Sequence, residues 1–503
     1  MSISGLLRES LTRRGPGLFG SGVSRSGNKT LYEPYIIRGP CINLCIPILR
    51  RVTMKYRKEP ELTGRIVFPD DPLYNSARQE FNTFFNKFPL VIVFAKETQD
   101  VINAIRWARY NGVPLRMRSG RHNYEGVSAL NGGLIIDVSE MKQLEINRKK
   151  GTVTLQTGLR NVEIIEELGS QGLVVPPGLC PTPGIAGVTL GGGHSSLSRP
   201  WGLVIDNLLE AELIDADGCV LRASADRNAD LFWALRGGGG GNFGVCTSFC
   251  FRTHEIDTVA YAAINWELED LKPVLKVWQE YTLPDADIRF TPLLSIISGE
   301  QSFLLAQGVF LGSAKELRKL LCPLLRSGSP SSVFIEDIPW VEAAARIGVP
   351  QLGNPVPFKS VGPYLDALLP DEAIDIIQRY ITNPPTASVS LLFHGLGGAV
   401  ADIPSKATAY FQRKALSNMS IYATWNEPEG TGPGIHWVDQ FRREMLPYTN
   451  GVYINTQDLS IENWPMAYYG GNFERLTRIK AKYDPENFFR FPQSIPPASE
   501  CRE

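Results

Sequence analysis

Three glycine-rich segments hold the residues whose chemistry can be read first. Arg118-Ser-Gly-Arg-His-Asn-Tyr-Glu-Gly126 follows a strand candidate directly. Glycine lets a backbone turn tightly and approach a ligand. Successive amides in such a turn make an anion-binding nest, suited to a pyrophosphate. His122 sits inside that nest; taken alone it reads first as a hydrogen-bonding loop residue. Gly178-Leu-Cys-Pro-Thr-Pro-Gly-Ile-Ala-Gly-Val-Thr-Leu-Gly-Gly-Gly193 places Cys180 in a loop just ahead of Pro181, an odd position for a core thiol. With few side chains intervening, this backbone can lie flat against a planar ligand. Ala234-Leu-Arg-Gly-Gly-Gly-Gly-Gly-Asn-Phe-Gly244 is framed by Trp233 and Phe243, which favours a ligand-facing or tightly packed turn over a flexible linker.

Several familiar sites are excluded by spacing. Gly191 to Gly193 leads to His194-Ser-Ser-Leu-Ser-Arg-Pro200, and the proline interrupts the helix that a dinucleotide fingerprint requires. No Gly-Lys-Ser/Thr follows a glycine loop, and no Gly-x-Ser-x-Gly elbow is present. His194, His254, His394 and His436 show no metal-binding spacing, so no metal site is expected.

The elements that must position these loops follow from hydrophobic periodicity. Leu90–Phe94 is a continuous apolar run and reads as a buried strand. Thr98–Tyr110 has helical periodicity, with Thr98 as N-cap and Gly112 as terminator. Val113–Met117, Leu134–Val138 and Thr152–Gln156 read as strands, and Val162–Leu168 and Ala229–Leu235 as helices. From about 256 to 455 the texture changes. Helical segments 271–281, 314–325 and 371–380 alternate with strands 290–297, 303–310, 388–393 and 419–425. This predicts a sheet with helices packed on it. A last helix is expected over Phe473–Tyr483.

Bulk properties narrow the class further. Hydrophobic residues make up 43% and charged residues 20% of the 503, ordinary globular usage. A net charge of −1 gives no field for nucleic acid. No apolar run approaches the roughly 18 residues of a membrane span. Eight cysteines in a chain this long are not a disulfide framework; Cys41/Cys45 and Cys246/Cys250 read as inert thiols. Residues 1–59 are basic, serine-rich and poor in acids. They read either as an organellar targeting segment or as a disordered leader with Met54 as the true start; otherwise the chain is expected to be cytoplasmic, and secretion is disfavoured. Asn28 and Asn418 head glycosylation sequons of a kind frequent by chance.

The three segments, in this order, resemble the berberine bridge enzyme-like family of the vanillyl-alcohol oxidase flavoprotein superfamily. Tyr468-Tyr-Gly-Gly-Asn-Phe-Glu-Arg-Leu476, Tyr483-Asp-Pro-Glu-Asn-Phe-Phe489 and Gln493-Ser-Ile495 extend the likeness to the C-terminal part. The resemblance implies an α+β fold: a two-part PCMH-type FAD-binding domain, 60–255 and 456–503, around an inserted substrate domain, 256–455, with an antiparallel sheet covered by helices. It implies FAD bonded twice, to His122 and Cys180, each bond raising the flavin potential. It implies cofactor contacts at Arg118, Ser119, Gly120, Arg121, Asn123, Gly184, Gly187, Val188, Gly191, Gly192, Val245, Tyr468 and Asn472. The implied reaction is hydride removal from an alcohol, a sugar hemiacetal or an activated C–H bond of a small molecule. Oxygen is the expected acceptor, giving hydrogen peroxide; the alternatives are another acceptor or a flavin-binding protein without turnover.

The chain departs from the family at three places. The family's Tyr-x-Asn-Tyr reads Tyr453-Ile-Asn-Thr456 here, and a threonine hydroxyl is too weakly acidic to replace a tyrosinate base. Tyr453 is therefore the first candidate base and Tyr422 the second. Val188 stands where plant members carry a histidine, and Pro183 where an aliphatic side chain is usual.

Overall fold

The Val-Ile-Val-Phe run after Leu90 is buried on both faces, and the sheet around it explains why. In the computed structural model, which describes residues 60–347, 354–386 and 388–499, four strands form the first sheet. They are β1 (Arg65–Val67), β2 (Val91–Phe94), β3 (Leu115–Arg118) and β4 (Leu134–Asp137), in the order β1-β2-β4-β3. β4 runs parallel to both β2 and β3, and β1 is antiparallel to β2. A parallel strand covered on both faces reads as an unbroken apolar run. The leader, with Asn28, Cys41, Cys45 and Met54, lies outside the described residues.

Helix Thr98–Asn111 connects β2 to β3. The N-cap is Glu97 rather than Thr98. The difference comes from Asp100, whose Oδ2 accepts the N–H groups of Lys96 (3.0 Å) and Glu97 (3.3 Å). Its Oδ1 takes the Thr63 hydroxyl at 2.6 Å. Gly112 ends the helix in the left-handed region at φ 64°, as its position predicts. Asp100→Ala leaves these donors unpaired and is expected to cost about 2 kcal/mol, read by urea denaturation; a change below about 0.5 kcal/mol would remove Asp100 from the account.

The second sheet is antiparallel. β5 (Leu144–Asn147) and β6 (Thr152–Gln156) are followed by β7 (Leu173–Val174), β8 (Leu208–Ile214), β9 (Val220–Ser224), β10 (Val245–Arg252) and β11 (His254–Glu255). The order is β5-β6-β10-β8-β9, with β7 and β11 pairing apart. Cys246 and Cys250 both lie on β10, within the ladder.

Nine strands build the third sheet: β12 (Thr258–Trp266), β13 (Phe290–Gly299), β14 (Phe303–Phe310), β15 (Ser332–Pro339), β16 (Phe358–Val361), β17 (Pro363–Leu365), β18 (Ser388–Gly395), β19 (Ser417–Thr424) and β20 (Asn450–Val452). Its order is β15-β12-β14-β13-β18-β19-β17-β20, with β16 also on β19. Strand alternation separates two faces. Leu391, Phe393, Met419 and Ile421 share a core with helices Leu271–Trp278, Asp371–Thr382 and Thr431–Met445. The opposite face carries Leu392, His394, Asn418, Ser420 and Tyr422, with His394 directly across from Asn418. Asn418 is 2% exposed, so folding hides its sequon. Among the described residues no helix is long and apolar enough to cross a membrane.

Candidate functional site

The end of β3 is fixed by charge. Arg118 bonds Asp137 through Nε (2.8 Å) and Glu80 through Nη1 (2.7 Å), and its Nη2 donates to the Ala77 carbonyl. All three charged side chains are at most 1% exposed. Ser128 Oγ adds a 2.8 Å bond to Glu80. From this anchor the backbone turns at Arg121, a non-glycine residue at φ 62°. Among the described residues the amides of Gly120, Arg121, His122 and Asn123 meet no acceptor, which makes them a nest for an anion.

Backbone packs on backbone where the first two glycine segments meet. A Cβ on Gly120 would lie 2.1 Å from the Gly184 nitrogen, and one on Gly184 would lie 1.9 Å from Ser119 Oγ. Ser119 Oγ donates to Thr157 O at 2.7 Å. That contact brings His122 and Cys180 to the wall of one cavity, which Gly239–Gly241 and Val245 close from another side. His122 stacks on Phe81 with ring centroids 3.8 Å apart. Burial lowers its imidazole to about 4, so the ring is neutral at pH 7. Burial pushes the Cys180 thiol up to about 12. Asn161 holds the Cys180 carbonyl at 2.7 Å. A Cβ on Gly187 would meet nothing within 4 Å, so that glycine presents bare backbone to open space.

These features fit FAD: unspent amides for the pyrophosphate, bare glycine backbone for a flat ring, and a histidine and a cysteine on the same wall. Ser119, Gly120, Arg121, Asn123, Gly184, Gly187, Val188, Val245 and Pro183 line the cavity, as does Arg118, whose guanidinium is already committed to its carboxylates. Four expected contacts do not line it. Gly191 packs under the Asn455 side chain, and Gly192 packs under the Tyr410 ring. Tyr468 spends its hydroxyl on Asp458 and Gln493. Asn472 donates to the carbonyls of Ser405, Thr408 and Ala409. These four brace the wall from behind; Tyr469, next to Tyr468, is the residue that reaches the cavity.

Both candidate bases line the cavity. The Tyr453 oxygen accepts the Gly193 N–H at 2.9 Å and Asn455 Nδ2 at 2.9 Å. Burial raises this phenol to about 12, against the pull of these donors. Its ring stacks on His194 at 3.9 Å. Tyr422 shares a 3.0 Å hydroxyl–hydroxyl bond with Tyr124, and burial raises it to about 12. Thr456 donates its hydroxyl to the Tyr453 carbonyl at 2.9 Å, so its proton is spent on the backbone.

Sequence reasoning missed His194, His394, Tyr124 and Ser420. Metal spacing was the wrong test for the histidines. The strand prediction stopped at Phe393, one residue short of His394; alternation carried one step further would have placed His394 beside Leu392. A largely buried lysine was also missed. Lys359 on β16 bonds Glu125 of the His122 loop and Asp458 of the C-terminal segment, both at 2.6 Å. Burial works against its charge, but Asp458 and Glu125 together hold the ammonium above its ordinary value. Behind the five-glycine turn, Lys480 donates to the Asn242 and Phe489 carbonyls at 2.6 and 2.7 Å and to Asp484 at 2.6 Å.

Comparison with known proteins agrees with this geometry. The FAD binding domain family matches residues 89–224, and the family described as berberine and berberine like matches 452–496. The Bacillus subtilis (strain 168) protein YgaK, an uncharacterized FAD-linked oxidoreductase, is 39% identical over 88% of this chain and 98% of its own. Berberine bridge enzyme-like 3 of Arabidopsis thaliana is 30% identical over 88% of this chain and 92% of its own. The structure of Physcomitrella patens BBE-like 1 superposes with a TM-score of 0.80 at 27% identity, covering 87% of this chain and 97% of that one. The chain belongs to the berberine bridge enzyme-like FAD-linked oxidoreductases.

Proposed function

We propose that this chain oxidises an alcohol, a sugar hemiacetal or an activated C–H bond of a small molecule, using FAD bonded to His122 and Cys180, with oxygen as acceptor and hydrogen peroxide as product. The observation that carries the reading is the meeting of His122 and Cys180 on one cavity wall beside unspent backbone amides. Bound FAD supplies a hydride-accepting centre. The protein's own part is proton removal and orientation. Tyr453 takes the proton of the substrate hydroxyl, because two donors aimed at its oxygen stabilise the tyrosinate that does this work. Tyr422, tied to Tyr124, orients the substrate from the sheet.

Acid precipitation tests the tethers. Yellow colour is expected to stay in the pellet for wild type and for His122→Ala or Cys180→Ala alone, and to leave it in the double variant. Colour in the wild-type supernatant would refute covalent attachment. Mixing the reduced protein with oxygen in a stopped flow tests the acceptor; reoxidation over minutes rather than seconds would favour another acceptor.

A further inference from the structure

The cavity holds two histidines that the proposed chemistry does not use. His394 on β18 is 1% exposed and His194 7%, and their rings stack with centroids 5.0 Å apart. Both line the cavity, next to Asn418 and Ser420.

The proton on each ring can be placed from its partners. His394 Nε2 lies 2.9 Å from the Ser195 carbonyl oxygen. A carbonyl only accepts, so Nε2 carries the hydrogen and Nδ1 is bare. That Nδ1 is buried and has no partner among the described residues. A buried acceptor without a donor is costly and calls for an explanation.

For His194 the argument runs through two tyrosines. Its Nε2 is 3.0 Å from Tyr410 Oη and 3.5 Å from Tyr364 Oη, and the two hydroxyls are 2.8 Å apart. Among the described residues neither hydroxyl has another partner. If Nε2 carried a hydrogen, one hydroxyl proton would have nowhere to go. With Nε2 bare, Tyr364 donates to Tyr410 and Tyr410 donates to Nε2, and every proton is used. His194 Nδ1 therefore carries the hydrogen, and no group among the described residues accepts it.

We infer that His194 and His394 are the specificity-determining pair of this site, His194 Nδ1 donating to and His394 Nδ1 accepting from the hydroxyls of a polyhydroxylated substrate. This rests on the oxidoreductase reading above and narrows it. The pair offers one donor and one acceptor in a neutral, buried setting. Burial holds His394 at about 4 and His194 well below its ordinary value, so the recognition is by hydrogen bonds rather than by charge. Asn418 and Ser420 continue the polar stripe along the sheet. A wall built to hydrogen-bond hydroxyls rejects a ligand that lacks them, because its polar groups are then buried unpaired.

The test is anaerobic bleaching of the flavin-loaded protein by D-glucose, xylitol and benzyl alcohol. At least one polyol is expected to reduce the flavin with an efficiency about 100-fold or more above that of benzyl alcohol. His394→Gln keeps a donor for the Ser195 carbonyl and removes the Nδ1 acceptor; it is expected to raise the Kd of that polyol about tenfold with the limiting rate changed less than about threefold. His394→Asn restores an acceptor near the Nδ1 position and is expected to recover part of the loss. Bleaching by benzyl alcohol alone, or an unchanged Kd in His394→Gln, overturns this inference and leaves the oxidoreductase reading standing. No bleaching by any of the three overturns this inference, whereas loss of flavin from the protein overturns the reading beneath it.

Discussion

Arg118→Met is expected to lower stability by about 3–5 kcal/mol, enough to unfold a marginal domain at working temperature. Asp137 and Glu80 are both 0% exposed and both make their shortest ion pair with this one guanidinium. Removing it strands two carboxylates away from water. Arg121 reaches Asp137 only at 3.4 Å and does not reach Glu80, so it compensates in part. The Ala77 carbonyl also loses its donor. Because β3 delivers the His122 loop, flavin retention is expected to fall with stability. Urea unfolding of the variant, with and without cofactor, measures both. A loss below about 1 kcal/mol would mean that water or neighbouring dipoles satisfy the carboxylates, and the anchor would then lie elsewhere.

Tyr453→Phe is expected to lower the limiting rate of anaerobic flavin reduction by about 10²- to 10⁴-fold, the usual worth of a positioned base. Flavin attachment and substrate Kd should change little, because His122 and Cys180 do not depend on the hydroxyl. The effect should carry a pH signature. Burial holds Tyr453 at about 12 before ligands bind, with Gly193 and Asn455 pulling the other way. A base works deprotonated, so wild-type reduction should rise with pH, by up to about tenfold per unit below that value. Tyr453→Phe should flatten the rise. If it keeps both rate and slope, the base is Tyr422, whose conversion to phenylalanine would then carry the loss.

Much of the fold was legible because periodicity is local. Helix Ala229–Leu235, strand Phe303–Phe310 and helix Phe473–Tyr483 have the bounds their patterns predict. Where prediction failed, a tertiary contact or a chain breaker decided. The single helix expected over 314–325 breaks after Leu320, and a second short helix starts at Cys322 with Pro323 in its first turn. Helix Thr431–Met445 was not anticipated; it opens on Gly432-Pro-Gly434, residue types that favour turns. Proline costs little in a first turn, where its missing N–H has no helical partner, and Gly434 is needed for Trp425, whose ring lies 2.8 Å from where a Cβ would stand. The tether residues were legible through their loops. The histidine pair was not, because what brings His194 near His394 is the meeting of the loop at Ser195 with a strand residue 199 positions further along the chain, which no local pattern reveals.

Lys359 has a consequence for how the molecule is made. It joins Glu125, from the early His122 loop, to Asp458, from one of the last segments, and it does so from a strand that lies between them in the chain. Lys480 likewise joins Asn242 to Phe489. Phe491 and Gln493 finish the cavity wall. A ribosome releases the His122 loop long before the residues that enclose it, and closing contacts over such separations is slow. The complete binding chamber therefore exists only after translation has passed residue 493, so the finished chamber captures its cofactor no earlier than that.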